Sequence, residues 1–318
     1  MSPTIAMDHA VVSAPVRLNH AGLKYLGTAL AIAAALFVVL RVWAESHNLS
    51  GLIVTVSVPA LISAVLLYAS SGGLLALGWW FALKVAGVAN PALDNSAAAW
   101  LASQIGKYLP GNVGHFVARH LIASRQGARH TALVAAAVVE TLVLIAASSA
   151  FALLIIGDLL LFYEFEFVQT ELVWLTPLVA LGLLYSGLWL GRKRGWLESC
   201  STRPVMLSEL AVALALAIVF FSVGGLCFVL MAPGLDMGDW ILVLPWLAAA
   251  WLIGFMVPGA PGGLGIRELV LVLGLAPLVG QADAVMYAVM FRIVTVSGDG
   301  IMSLAGMIWL RRLSVVPG

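Results

Sequence analysis

Charged side chains interrupt long apolar stretches of this sequence, where they are rare and costly. A charge at the centre of a bilayer costs about 2.5–3.5 kcal/mol on insertion scales, so it is generally paired or hydrated. A bound ligand, a coupled proton or a static ion pair between helices would each account for such residues. The charges in question are Lys107, Glu140, Arg267, Glu268, Arg292 and Asp299.

Spacing along the chain indicates how some of these charges are arranged. Arg292 and Asp299 lie in MFRIVTVSGDG, seven residues apart, so on a helix they share one face and can both line a cavity. Glu140 lies inside AAAVVETLVLIAA with only Thr141 as a polar neighbour, and we expect it to meet a cation from another segment. The candidates are Lys107, Arg267 and Arg292, and the alternative for each is a salt bridge that only fixes packing.

Two segments combine helix breakers with an arginine. They read GKYLPGNVGHFVARH and MVPGAPGGLGIRE, and each contains P-G-x-x-G followed by an arginine. Proline fits the first turn of a helix, glycine allows close backbone approach, and the unpaired N–H groups of a half-helix favour an anion. An arginine beside them adds a bidentate donor for phosphate. The residues concerned are Pro110, Gly111 and Arg119 in the first segment and Pro261, Gly262, Gly263, Gly265 and Arg267 in the second.

The same features also have a purely structural interpretation. A re-entrant turn that only packs against its neighbours would equally need Pro and Gly, and Arg119 or Arg267 would then extend to the membrane surface. Tyr108 either donates to a head group or satisfies the broken backbone, and the sequence does not separate the two. Trp79 and Trp80 are assigned to interfacial aromatic belts.

The composition places these segments in a membrane. Of the 318 residues, 62% are hydrophobic and 10% are charged, against about 25% charged in soluble domains. The net charge is +1 and no basic tract occurs, so nothing indicates a nucleic-acid partner. The sequence predicts an all-α polytopic membrane protein with full spans at about 21–43, 53–84, 130–157, 171–191, 207–232 and 282–310.

Two further apolar regions, about 97–121 and 238–280, are broken in the middle and contain the two arginine segments. Lysine and arginine cluster in alternate loops, which predicts cytoplasmic termini if both regions return to the side from which they start. We therefore expect two re-entrant hairpins of opposite approach, an arrangement typical of inverted repeats around a substrate site. The predicted domains are a polar cytoplasmic segment (1–20), a transmembrane domain (21–312) and a short cytoplasmic tail (313–318).

The sequence lacks the common catalytic motifs. It contains no G-x-x-x-x-G-K-[ST], H-E-x-x-H or G-x-S-x-G pattern and no Cys/His cluster with metal-ligand spacing. Cys200 and Cys227 differ too much in predicted depth to form a disulfide. We therefore expect no enzyme activity, no metal and no cofactor.

In order and spacing, the motifs GKYLPGNVGHFVAR and PGAPGGLGIRE, with Glu140 between them, resemble the signatures of the lysylphosphatidylglycerol synthase transmembrane family. In the multiple peptide resistance factor, this flippase-type domain precedes a soluble aminoacyl-transferase domain. The resemblance covers about residues 23–312, which leaves no length for a transferase domain, so we expect a stand-alone form.

The resemblance implies re-entrant helices around an internal cavity. It also implies movement of an anionic or aminoacylated phospholipid, or of a polyprenyl or hopanoid lipid, between leaflets. The site residues that it implies, with Arg292 and Asp299 added from their spacing, are Lys107, Tyr108, Pro110, Gly111, Arg119, Glu140, Pro261, Gly262, Gly263, Gly265, Arg267, Glu268, Arg292 and Asp299.

These observations favour a lipid translocase of the inner membrane without a nucleotide motor. Arg119, Arg267 and the half-helix N-termini would bind phosphate, while Glu140 with Asp299 would bind a cationic head-group moiety or couple to protons. One alternative is a membrane-embedded transferase acting on a lipid-linked head group, with Glu140 or Glu268 as general base. Another is a non-transporting partner of a lipid or envelope-glycan synthase. Membrane lipids are the expected partners, and a lipid-synthesis enzyme or a second copy of the chain is left open.

Overall fold

The computed structural model describes residues 57–109, 113–125, 127–161, 175–195, 205–257 and 260–315, together with Leu36 and Leu40. Its regular elements are all helices, and no strand occurs within those ranges, which confirms the predicted all-α membrane fold. Short 3-10 helices lie at Gln104–Tyr108, Met237–Asp239 and Pro261–Gly263. The α-helices are α1 (Val58–Val85), α2 (Leu93–Ala102), α3 (Gly114–Arg125), α4 (His130–Leu161), α5 (Thr176–Lys193), α6 (Val205–Met231), α7 (Trp240–Met256), α8 (Ile266–Val279) and α9 (Gln281–Val315).

Six helical segments in the described part of the chain are long and apolar enough to cross a membrane. Those in α1, α4, α6 and α9 confirm the predicted spans at 53–84, 130–157, 207–232 and 282–310. The other two, Met237–Met256 and Pro261–Val279, fall in the region predicted to be one broken hairpin.

Two predicted spans are not among these six. The apolar part of α5, Leu178–Gly191, is shorter than 18 residues, and the preceding residues 162–174 lie outside the described ranges. The prediction of a full span at 171–191 is therefore not met by the described helix alone. The predicted span at 21–43 also lies outside the described residues, apart from Leu36 and Leu40.

The helices pack around a common centre. The most extensive contact is between α1 and α6, while α9 lies against α1, α2 and α8, and α7 lies against α4, α6 and α8. Close approach depends on small residues, because a Cβ added at Gly306 of α9 would lie 2.8 Å from the Cα of Ala102 at the end of α2. Small residues that let backbones approach are typical of helix contacts inside membranes.

Large apolar side chains on the outer surface of the helices indicate that this surface faces lipid. Leu66, Val134, Leu273 and Leu304 are each more than half exposed. In water such side chains would be costly, whereas lipid tails solvate them without penalty. The chain is a multi-pass membrane protein.

The two broken regions differ in length but meet at their breaks. In the first, α2 has 10 residues and α3 has 12, so each is too short to cross about 30 Å of hydrocarbon. In the second, α7 has 17 residues and α8 has 14. The 3-10 helices at the two breaks, Gln104–Tyr108 and Pro261–Gly263, are in contact. This contact brings together the two segments that the sequence singled out, although their re-entrant course stays a prediction.

Candidate functional site

The glycines of the second break are required by its backbone. Gly262, Gly263 and Gly265 have φ angles of 58°, 72° and 80°, in the left-handed region that side chains of L-residues rarely adopt. A Cβ added at Gly262 would also lie 2.8 Å from the ring of Tyr108. The second break therefore rests directly against the 3-10 helix of the first break.

Asp299 joins the first hairpin to α9. Its Oδ2 atom lies 2.6 Å from Lys107 Nζ and accepts a 2.5 Å hydrogen bond from the Tyr108 hydroxyl. Asp299 is fully buried, and its Oδ1 atom has no hydrogen-bond partner among the described residues. One carboxylate thus neutralises Lys107 and also positions the tyrosine that touches Gly262.

A second carboxylate, Glu268, holds the second break. The Gly265 amide donates a 2.7 Å hydrogen bond to Glu268 Oε2, which caps the start of α8. Arg292 Nε lies 3.3 Å from Glu268 Oε1, and Arg292 Nη1 donates to the Gly262 carbonyl at 3.0 Å. The spacing argument for α9 is therefore confirmed, since Arg292 and Asp299 both face inward and each contacts one of the two breaks.

Glu140 pairs with Arg119, and our prediction of Lys107, Arg267 or Arg292 as its partner is wrong. Arg119 Nη1 and Nη2 donate to the two oxygens of Glu140 at 2.8 and 2.5 Å. The Trp100 indole donates to Oε1 at 2.6 Å. Lys107 and Arg292 have carboxylates of their own, and the return of α3 after the first break brings Arg119 opposite α4.

Trp79 stacks on this pair, so its assignment to an interfacial belt is also wrong. Its side chain is 2% exposed, and the guanidinium carbon of Arg119 lies 3.9 Å from its ring centroid. A buried guanidinium stacked on an aromatic face and bonded at both outer nitrogens is held in one position. Arg119 therefore has its main donors occupied by the protein itself.

Arg267 differs from the other central cations. No carboxylate oxygen of the described chain lies within 4 Å of its guanidinium, and its Nε atom is buried without a hydrogen-bond partner. The adjacent Glu268 does not pair with it, because consecutive side chains on a helix point in different directions. The guanidinium carbon lies 6.0 Å from the ring centroid of Trp251. Arg267 is thus an unneutralised cation in the described interior.

Two small cavities meet at Arg267. One lies among α1, α6, α7, α8 and α9 and has a volume of about 60 Å³. The other lies against the first hairpin and has a volume of about 70 Å³. A cavity needs about 10–15 Å³ of this volume for one water molecule, so each of the two has room for a few waters. Both are lined by Tyr68, Phe220, Trp251 and Arg267.

The charges that line the two cavities do not balance. They comprise four cations and three carboxylates, which leaves one positive charge in excess. His115 also lines the second cavity, with a buried Nδ1 atom that lacks a hydrogen-bond partner. The cations are Lys107, Arg119, Arg267 and Arg292, and the carboxylates are Glu140, Glu268 and Asp299.

Several predicted features are only partly represented in this arrangement. Pro110 and Gly111 lie outside the described residues. The half-helix amides expected to bind an anion are partly occupied at α8, because Glu268 already accepts from Gly265. Pro261 begins the 3-10 helix of the second break, and Gly263 packs against the Arg267 side chain.

Some site residues were not predicted at all. Trp100 and Tyr68 belong to the cavity walls, but in the sequence they are ordinary aromatics within apolar helices. Trp100 lies 40 residues from the Glu140 that it contacts. A buried carboxylate needs more than one hydrogen-bond donor. This need was the only signal in the sequence for a further donor to Glu140.

Residues 26–299 match the profile of the family described as the lysylphosphatidylglycerol synthase transmembrane region. The chain belongs to this family. The match confirms the resemblance carried by the two broken motifs, and Asp299 is its last residue. No curated protein matches the chain. In this member of the family, the described charges from Lys107 to Asp299 therefore all lie within the matched region.

Proposed function

We propose that this protein moves a phosphate-bearing lipid between membrane leaflets, with the phosphate held where the two hairpin tips meet. The observation that carries the proposal is Arg267, a cation without a carboxylate partner in the described interior and with a buried, unbonded Nε. An uncompensated charge at membrane depth is costly and is usually kept for a ligand, an ion or a relay. Its sign favours an anion.

Phosphate suits this position better than other anions of a membrane. The guanidinium presents planar paired donors that match two phosphate oxygens, and such charge-assisted bonds are stronger than neutral ones. Arg292 lies beside it, with a buried Nη2 atom that has no hydrogen-bond partner in the described structure. We assign the phosphate to Arg267 with Arg292 as a second donor.

The other charges have a different role in this proposal. Both Glu140 oxygens accept hydrogen bonds from Arg119, and Glu268 is shared between Arg292 and the Gly265 amide. Neither carboxylate is free to act as a general base, which argues against the transferase alternative. We propose that these pairs fix the hairpins, and that the protein makes no covalent bond.

The described conformation is too closed for a head group. Cavities of about 60 and 70 Å³ hold only a few waters each, so transfer requires the surrounding helices to separate. A site near mid-membrane that opens alternately to either side is the usual arrangement in transporters with inverted repeats. We also propose that the membrane is the inner membrane and that both termini are cytoplasmic, as the loop charges predict.

The test is transfer of a fluorescent phosphatidylglycerol across proteoliposome membranes, read by quenching of the outer leaflet. Arg267→Gln removes the charge but keeps a polar side chain. We expect at least about tenfold slower transfer, because a hydrogen bond to a charged group contributes about 1.5–3 kcal/mol and 1.4 kcal/mol is tenfold. Arg267→Lys should be intermediate, since it keeps the charge without the paired donors.

Arg311→Gln is the matched control, because it makes the same chemical change at an exposed arginine near the end of α9. Its transfer rate should equal that of the unmodified protein. Wild-type transfer by a folded Arg267→Gln variant would refute the proposed site. Absence of transfer by the unmodified protein with every phospholipid tested would refute the function.

A further inference from the structure

A long apolar groove opens on the outer surface between α3 and α4. Its volume is about 450 Å³, several times that of either central cavity. Val117 and Leu121 of α3 and Val134 of α4 form its rims and are each more than half exposed. The floor is formed mainly by apolar side chains, including Leu133 and Ala137.

The groove lies beside the part of α4 that is apolar enough to span a membrane. Val134 is one turn into α4, which is apolar enough to span the membrane, while Thr141 lies two turns further along the helix and also lines the groove. Helix α3 follows the first break, which contacts the second break. The groove therefore runs from the end of α4 nearest Arg129 toward the central site.

The groove and the polar cavity share part of their walls. Phe116, Arg119 and Thr141 line both of them. Phe116 packs beside His115, with 4.0 Å between ring centroids, and lies 5.4 Å from the Arg119 guanidinium carbon. One layer of side chains thus separates an apolar channel open to lipid from the charged cavity that contains Arg267.

We propose that this groove holds one acyl chain of the lipid whose phosphate reaches Arg267. This inference rests on the proposed function. A phospholipid needs an apolar surface for its chain next to a polar site for its head group. Among the described residues, the α3–α4 groove combines these through the shared wall at Phe116.

A lipid chain fits the groove better than another protein segment does. A packed helix would need small residues along both rims for close approach, whereas the rims here carry Val117, Leu121 and Val134. Flexible hydrocarbon fills an irregular apolar channel without that requirement. The segment 21–43 of this chain and a second copy are the competing occupants.

The experiment uses the full chain in nanodiscs with phosphatidylglycerol carrying a photoreactive diazirine in the middle of one acyl chain. A diacylglycerol with the same chain and no phosphate serves as the comparison probe. We expect the phosphatidylglycerol probe to label α3 and α4 peptides at the groove in preference to the diacylglycerol probe. Arg267→Gln should abolish that preference.

Ala137→Trp fills the floor of the groove and should reduce this labelling about tenfold, equivalent to about 1.4 kcal/mol of lost binding. Val134→Trp is the second variant, because its exposed position tolerates a larger side chain without loss of folding. Ala215→Trp is the control, because Ala215 is exposed on α6, away from the groove. That variant should leave the labelling unchanged.

The possible results distinguish a failure of the groove proposal from a failure of the phosphate site. Phosphate-dependent labelling that maps to other helices, or labelling unchanged by both groove variants, would overturn the groove while leaving the proposed function intact. Equal labelling by the two probes in the unmodified protein would overturn the phosphate site as well. Photo-crosslinks from incorporated photo-leucine that join the groove rims to residues 21–43, or to a second copy, would overturn the lipid as occupant.

Discussion

At the scale of single residues, the buried charges fall into two groups with different environments. Arg119, Glu140 and their tryptophan neighbours form a saturated cluster in which both carboxylate oxygens and both outer guanidinium nitrogens are bonded. Arg267 lies in the wall of both cavities with a buried Nε and no carboxylate nearby in the described chain. The first arrangement stabilises the fold, whereas the second leaves the Arg267 Nε donor without a hydrogen-bond partner in the described chain.

The saturated pair predicts a stability effect that depends on whether one or both partners change. Glu140→Gln leaves Arg119 charged and buried, and breaking a buried pair in this way costs about 3–5 kcal/mol. The double variant Arg119→Met with Glu140→Leu removes both charges and should recover most of that loss. Thermal unfolding of the purified proteins in detergent measures both. A double variant as unstable as Glu140→Gln would contradict this, because the loss would then come from the pair itself and not from an uncompensated charge.

The sequence located every one of these charges but not their partners. An unusual residue in an apolar stretch is visible by its type alone, which is why Glu140 and Arg267 could be named. Which cation meets Glu140 depends on how α3 returns after the first break, and the local pattern does not encode that path. Trp79 was misassigned because a tryptophan near a helix end looks the same whether it faces lipid or covers an arginine.

At the scale of elements, the meeting of the two breaks sets the depth of the site. The arms that follow the two breaks, α3 and α8, are about 18 Å and about 21 Å long at 1.5 Å per residue. Placed tip to tip, they span about 39 Å, close to the thickness of a bilayer with its head-group regions. Two hairpins that approach from opposite faces stay a prediction, because Met237–Met256 and Pro261–Val279 are each also long enough to cross a membrane.

The contact between the tips predicts different costs for two glycine replacements. Gly127 has a φ of 89° with open space around it, so Gly127→Ala should cost only the left-handed backbone term of about 1–2 kcal/mol. Gly262→Ala has the same left-handed backbone cost, and its Cβ would also press against the Tyr108 ring. Overpacking adds about 1–3 kcal/mol. Thermal unfolding of the two variants gives the difference, and equal stabilities would mean that the tips do not touch.

The depth of the second tip can be measured with an impermeant thiol reagent after Cys200→Ser and Cys227→Ala. Gly238→Cys, before α7, should react from outside, and Ser314→Cys should react only in inverted vesicles. Leu264→Cys, at the tip, should react slowly from both sides, because a thiol needs water to form the reactive thiolate. Reaction of Leu264→Cys in inverted vesicles as fast as Ser314→Cys would instead indicate two complete crossings.

Loop charges could not distinguish these two topologies. A hairpin that turns back and a pair of complete crossings both return the chain to its starting side, so the positive-inside rule gives the same termini for either. Helix breakers fixed the position of the break, and the φ angles at Gly262, Gly263 and Gly265 explain why glycine occurs there. The length of each arm is a matter of tertiary packing, which the sequence pattern did not specify.

At the scale of the whole molecule, six apolar helical segments within the described ranges enclose a small charged interior. Its cavity walls carry one positive charge more than their carboxylates neutralise. A closed interior of this kind keeps the charges away from lipid tails, and an anionic ligand would complete the balance. The family match over residues 26–299 includes all of these charges.

The most direct test of the central claim, that Arg267 holds a lipid phosphate, is native mass spectrometry of lipid retained by the purified protein. Membranes containing phosphatidylglycerol and diacylglycerol supply both a ligand with phosphate and one without. We predict that the unmodified protein and Arg311→Gln retain phosphatidylglycerol, and that Arg267→Gln loses it while being at least as stable to heat. Equal retention of phosphatidylglycerol by all three proteins would contradict the account.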